Sequence, residues 1–508
     1  MNRHLPRMLR TFIILTSAAA LLLTAINLHA IISNGQPPNA VAQSVHDVAV
    51  IAISVSDHDV VRGELVYIHV TARNQGDETE TFNVTAYAGN RPVSMSQAIN
   101  NLAAGTSQNL TFTWNTVTAA EGYHTIKAVA SVVHGETDIS DNTFVDGNVA
   151  VSFTAAVSSS NFYTATDLPF QRKSFHTAGL HWVFYSDYQN MVYRTSTNGI
   201  TWSAPTTVRE ALYGYLFSIW LDGTYVHYTY RDTLGMLHRK GSISGATITW
   251  QPEHLVVAGN TWAPNICVDT NGIPWISYRT NSIGVPADTK PYVVKATTAD
   301  GTTWGTPKRL STLDQLWWTV PVPLTSGKVY VLFSYPQGGI YGNLWNGDVW
   351  LTTPENATPA DSVTRSFGSF SSAAKGDNVY VVYVQNFTRD IVAINRTASG
   401  WGAEIVIVPS DPDEIIFPEP PDPAPTITVD FQKGDLYVHW VRLKVYQIKY
   451  DSTLKQWESA ESPFGTFFNS PDPRSLTSYY QVSDSLVGSV WIEGTATPYS
   501  VTYASGQV

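Results

Sequence analysis

Nine residues stand out for the chemistry their types and spacing allow. Arg172, Arg231, Arg279 and Arg442 carry planar guanidinium forks that match a carboxylate bidentately. Trp317 and Trp318 offer large flat faces of the kind that line ligand pockets and stack on sugar rings. Asp187, Asp232 and Glu493 could serve as acid and base in glycoside cleavage if two of them faced one bond. The set points to an anionic or sugar ligand. The sequence carries no zinc pattern, phosphate loop or nucleotide-binding fingerprint.

These residues fall at regular places. Arg231 and Arg279 each follow an aromatic residue in a strand-like run, "VHYTYRD" and "PWISYRT". Similar runs are "HWVFYSD", "VYVLFSY", "VYVVYVQ", "LYVHWVR" and "VGSVWIE". One aromatic anchor can be taken in each: Tyr185, Tyr230, Tyr278, Phe333, Tyr383, Trp440 and Trp491, at intervals of 45 to 57 residues. A period near 50 with about four strands per unit predicts a β-propeller. Seven blades is the expected count over residues 153–508, and six blades with an extra hairpin is the alternative. The seventh unit stops after three strands, and "VAVSFTAAV" near 149–157 can supply the fourth and remove a free edge. Propeller ligands gather at one mouth of the central channel. The expected face carries the second-to-third strand loops and the connections between blades, where the nine residues lie. Tyr213, Tyr215, Trp262, Arg365, Glu414 and Arg474 share that face.

Two turns repeat a pattern, "STNGITW" from Ser196 and "TADGTTW" from Thr297. Asn-Gly and Asp-Gly supply the positive φ of a tight hairpin. Thr298, Asp300, Gly301, Thr303 and Trp304 resemble the Asp-box, or BNR repeat, of sialidase-like propellers. Ser196, Asn198, Gly199, Thr201 and Trp202 match with Asn in place of Asp. The resemblance covers about 350 residues in period and two copies in strict motif. It implies hairpins that stabilise the fold away from the ligand. A sialidase would also need three arginines, a Tyr–Glu pair and an Asp. The stretch comparable to that family's first arginine, "LPFQRKSF", has Arg172 but lacks the Ile-Pro that follows it in the family, and no Tyr–Glu pair can be assigned.

Before the propeller lies a different pattern. "DVAVIAISVS", "ELVYIHVTARNQG" and "ETFNVTAYAG" alternate apolar and polar residues, followed by "QNLTFTW" and "YHTIKAVASV". Period-2 runs of this length between turn residues predict an immunoglobulin-like β-sandwich over residues 47–152. The segment resembles the CARDB family of extracellular adhesion-related modules, which implies a seven-stranded spacer or interaction module without catalytic residues. Glu136, Asp138 and Asp141 allow a structural calcium, as do Asp411, Asp413, Glu414, Glu419 and Asp422 in "SDPDEIIFPEPPDPAP". A solvated turn and a Pro-rich rim are the readings adopted, and no cofactor is expected.

Residues 1–32 combine Arg3, Arg7 and Arg10 with an uncharged run from Thr11 to Ile32. At 1.5 Å per residue a helix over that run spans about 33 Å, enough for a bilayer. A signal peptide ending near Ala30 is the other reading. Either one exports the rest through a polar linker, 33–46, and an uncleaved segment would keep the chain on the membrane. The net charge of −11 speaks against nucleic acid. The single cysteine, Cys267, excludes an internal disulfide and reads as a small buried hydrophobe. Five sequons, at Asn83, Asn109, Asn356, Asn386 and Asn395, permit glycosylation. The expectation is an all-β, exported protein that binds a glycan or a surface protein. A carbohydrate-active enzyme or an envelope component are the alternatives, and the recognisable residues lean away from catalysis.

Overall fold

The computed structural model describes residues 44–508 except 121, 153, 211–215, 281–288, 313–317, 336–338, 359–369, 386–387, 411–423, 443, 460–461 and 468–471. The expected N-terminal helix and most of the linker lie outside the described residues. So do Trp317, Tyr213, Tyr215, Arg365, Glu414 and the acidic carboxylates of 411–422. Among the described residues, no helix is long and apolar enough to cross a membrane.

The described chain is all-β, with only short 3₁₀ turns besides its strands. The N-terminal part forms two sheets. One contains Val48–Val55, Leu65–Asn74 and Ser107–Asn115; the other is built around Glu80–Ala88, Gly122–Ala130 and Thr143–Ser152. Alternation does the sorting. In Leu65–Asn74, Val66, Ile68, Val70 and Ala72 face inward while their neighbours are mostly exposed. They meet Phe82, Val84, Phe112 and Ile126 in one core. The carboxylates considered for calcium are engaged locally. Glu136 accepts from the Val48 and Val133 N–H groups (3.0 and 2.8 Å), and Asp138 from the Ser140 N–H (3.0 Å). Among the described residues, no group of three or more His, Cys, Asp or Glu side chains is placed to hold a metal ion.

Seven open antiparallel sheets follow, a propeller-like repeat. The first contains Ser174–Thr177, Leu180–Ser186, Asn190–Ser196 and Thr206–Glu210, paired in chain order. Five more meanders begin at Phe217, Thr261, Trp318, Phe370 and Thr426. The seventh holds Thr477–Ser478, Leu486–Glu493 and Tyr499–Gln507, and its outer strand is Thr154–Ser160, which enters from the other end of the chain. All seven aromatic anchors are buried in the second strand of their sheets. From the second sheet to the seventh, each first strand touches the next, and that of the seventh touches that of the first. Between the first two sheets, the Ile219 N–H donates to the Arg172 carbonyl at 3.0 Å, so the contacts run round a ring.

A charged segment fills the inside of that ring. Residues 164–173, "TATDLPFQRK", are buried throughout. Phe170 packs on Trp318 and Phe370, with ring centroids 5.4 and 6.1 Å apart. Gln171 donates to the Pro264 carbonyl (2.7 Å), and Thr477 donates to the Gln171 carbonyl (2.9 Å). The first strands present small polar side chains to it, among them Asn265, Ser371, Thr426 and Ser478. Burial pushes the Asp167 carboxyl well above its usual range, helped by nearby Asp472, and pulls the Lys173 ammonium well below its own. Cys267 is also buried, in the first strand of the third sheet.

The two repeated turns clasp each sheet to the one before it. Asn198 Oδ1 accepts from the Ile200 and Thr201 N–H groups (2.9 and 3.0 Å), and Trp202 packs edge-on against Tyr503 of the seventh sheet at 5.2 Å. Asp300 Oδ1 accepts from the Thr302 N–H (3.1 Å), and Trp304 packs edge-on against His238 of the second sheet at 5.3 Å. The Thr298 hydroxyl, then the Thr302 N–H and hydroxyl, hold the exposed Asp300 carboxyl down to about 2. A depressed carboxylate stabilises the fold above its unfolded pKa of about 4 and loses that contribution as pH falls toward 2. Asp300→Asn keeps the acceptor, as Asn198 does. We expect its thermal midpoint to lie below the parent's at pH 7 and to converge with it near pH 2. A constant gap across pH 2–7 in thermal melts would refute the assignment.

Candidate functional site

Meander connectivity separates two faces. The second-to-third strand loops and the links between sheets lie at one end of the ring, and the first-to-second strand turns lie at the other. The first face carries the expected ligand residues, which the structure sorts into two groups.

Arg231 and Arg279 each stand one residue past an aromatic anchor, so the repeat gives them equivalent positions in the second and third sheets. Each reaches across to a tryptophan at the start of the next sheet. The Arg231 guanidinium lies 4.8 Å from the Trp262 ring centroid, and that of Arg279 lies 5.1 Å from Trp318. Within the third sheet Trp262 pairs directly with Arg279, so the two Arg–Trp pairs are linked through one ladder position. Burial lowers the Arg279 pKa to about 10, which leaves it charged at neutral pH. Among the described residues, the Arg231 side chain has no ion pair or hydrogen bond, only its indole. The Arg231 guanidinium, lying over its indole, can fork onto a carboxylate.

The remaining candidates serve their own surroundings. Asp187 Oδ1 accepts from the Gln189 and Asn190 N–H groups (2.9 and 2.6 Å). Asp232 caps its turn through the Leu234 N–H (2.7 Å) and pairs with Arg209 at 3.1 Å. Glu493 accepts from the Trp491 indole at 2.8 Å, and Arg442 donates to the Pro409 carbonyl at 2.7 Å. Asp187 and Asp232 lie just past the second strands of the first and second sheets, and Glu493 ends the second strand of the seventh. Trp318 is nearly buried between Arg279 and Phe170.

Arg172 departs most from expectation. It does not present its fork at the mouth. It belongs to the buried segment inside the ring and is 5% exposed. Its Nη1 donates to Thr426 Oγ1, Ser478 Oγ and two carbonyls, and its Nη2 to the Ser372 carbonyl at 2.9 Å. Burial lowers its pKa to about 10. The hydroxyls that surround it lie 199 to 306 residues further along the chain, so no local pattern around "PFQRKSF" could show the burial.

The turn face was not singled out from the sequence, yet it holds a recess. Trp220, Phe431, Tyr480 and Gln481 line a cavity of about 410 Å³ there. The aromatic residues in "SIWLDG" and "DFQKG", next to the first turns, are the signal that could have marked it.

Residues 46–145 match the CARDB family. The same part of the chain is similar to a CARDB domain of Pyrococcus furiosus solved in complex with di-metal ions: identity is 22%, coverage is 21% of this chain and 94% of that one, and the TM-score is 0.18. The remainder is similar to a fucose-specific lectin of Aleuria aurantia, at 13% identity over 61% of this chain and 99% of the lectin, with a TM-score of 0.37. A sialidase of Trypanosoma rangeli matches at 12% identity over 67% of this chain and 55% of its own, also with a TM-score of 0.37. No curated protein matches the chain significantly. None of these likenesses assigns an activity.

Proposed function

We propose that this chain is a surface-displayed binding protein whose seven sheets form a seven-bladed propeller that recognises an acidic glycan. The two equivalent arginines seated on tryptophans carry this reading: Arg231 on Trp262, and Arg279 on Trp318. The Arg231 guanidinium takes a carboxylate of the glycan, and Arg279 holds the equivalent position in the next sheet. The ring of first strands and the shared seventh sheet support the blade count. In the same reading, the clasping turns are Asp-box hairpins and the sandwich holds the propeller away from the membrane. The N-terminal hydrophobic run exports the chain, as a cleaved signal or a retained anchor.

Binding to a panel of acidic and neutral glycans, with Arg231→Ala and Arg279→Ala alongside, tests the reading. A charge-assisted fork contributes about 1.5–3 kcal/mol, so each variant should bind acidic glycans on the order of 10- to 100-fold more weakly, with an unchanged melting temperature. Affinity should also fall as salt rises. Full binding by the double variant would refute it, as would the absence of any acidic glycan from the hits. Turnover of the bound glycan would move the protein to the carbohydrate-active enzymes.

A further inference from the structure

The turn face carries a cavity of about 410 Å³, within the roughly 300–1,000 Å³ usual for small-molecule sites. It sits at the opposite end of the ring from the arginine pairs. Turns from the second through the seventh sheets surround it.

Its floor is aromatic. The Trp220 and Tyr480 rings lie 4.3 Å apart, and Phe431 stands 6.2 Å from Tyr480 with 46% of its surface exposed. Two carboxylates reach the wall, and both are engaged. Asp222 accepts from the Thr224 and Tyr225 N–H groups and contacts His227 at 3.2 Å. Asp269 accepts from the Asn271 and Ile273 N–H groups and from the Trp275 indole at 2.9 Å. Arg172 lies behind Tyr480, 5.5 Å from its ring, and its donors go to the surrounding strands. Gln481 differs: it lines the cavity and, among the described residues, its amide makes no side-chain hydrogen bond. The residues that line the wall therefore offer flat aromatic surface, one open amide and two engaged carboxylates.

We propose that this cavity binds a neutral saccharide. The sugar ring lies on the surface formed by Trp220, Tyr480 and Phe431, and Gln481 donates to and accepts from its hydroxyls. An anion is disfavoured by Asp222 and Asp269. A cation is disfavoured because Arg172 already stands against Tyr480. The site is independent of the arginine pairs, so one protein would hold an acidic glycan at one end of its ring and a neutral sugar at the other.

The test uses the full chain and the methyl glycosides of glucose, galactose, mannose and N-acetylglucosamine as probes, read by saturation-transfer NMR and calorimetry. At least one should bind with a dissociation constant on the order of 1 mM. Phe431→Ser and Gln481→Ala should each weaken it about tenfold without lowering the melting temperature, since one stacking or hydrogen-bonding partner contributes about 1 kcal/mol. Arg231→Ala should leave it unchanged, which separates this proposal from the acidic-glycan reading. The proposal is overturned if no methyl glycoside binds at about 10 mM. It is also overturned if binding ignores both variants, or if choline binds more tightly than every glycoside, which would make the cavity a cation cage.

Discussion

Arg172→Ala should destabilise the protein by about 4 kcal/mol, while leaving its loop face intact. The side chain donates to Thr426 Oγ1 and Ser478 Oγ, both at 3.1 Å, and to the Ser372 carbonyl at 2.9 Å, across the fifth, sixth and seventh sheets. Alanine removes the charged donor from this buried network, and it opens a hole among residues nearly closed to water. Arg172→Lys should recover only part of the loss. One ammonium cannot fork between Thr426 and Ser372 as a planar guanidinium does. Urea unfolding of the full chain reads both variants. A ligand-gripping arginine would behave differently, with lost binding and unchanged stability. A stability change below about 1 kcal/mol for Arg172→Ala would therefore remove it from the fold's interior network.

Gly301→Ala should cost about 3 kcal/mol, well above the ordinary price of an alanine in a turn. Two terms add. Gly301 has φ +68°, a conformation that a Cβ makes costly. A Cβ there would also meet His238 Cε1 at 2.3 Å. The imidazole cannot step aside easily, because it is fully buried and held between His227 at 3.1 Å and the Gly301 carbonyl at 3.3 Å. Gly347→Ala is the matched control. Its φ is +109°, but the nearest atom to a built Cβ is 3.7 Å away, so backbone strain of about 1 kcal/mol is the whole effect. Denaturant midpoints for the two variants should differ clearly. Equal shifts would show that the clasp against the second sheet yields without cost.

The seven anchors show how much of the fold was legible. Tyr185 through Trp491 recur because each sheet needs one large aromatic in its second strand to fill the space against its neighbour, and that requirement is local in sequence. The turns at Asn198 and Asp300 were legible for the same reason, since an Asx turn is written within five residues. The twin placement of Arg231 and Arg279 followed from the repeat. Their tryptophan seats did not, because Trp262 and Trp318 meet them across sheet boundaries. Asp187 and Asp232 carry two signals for a physical reason: aspartate is the residue that caps a strand-end turn, so a carboxylate there is as much a structural signal as a chemical one. Arg172 was illegible because its acceptors, Ser371 to Tyr479, lie far along the chain.

That separation bears on the order in which the protein is made. The partners of Arg172 lie 199 to 307 residues downstream, and Thr154–Ser160 pairs with a strand that begins at Tyr499. At about 5–20 residues per second, the early segment leaves the ribosome roughly 15–60 s before its last contacts exist. Leu168 and Phe170 have no core to enter until the residues between Ala263 and Ile394 follow, and the edge of 154–160 has no strand to pair with until Tyr499–Gln507 is made. Ring closure therefore waits for Tyr499–Gln507, and the nascent chain is a natural client for a holding chaperone until that strand emerges.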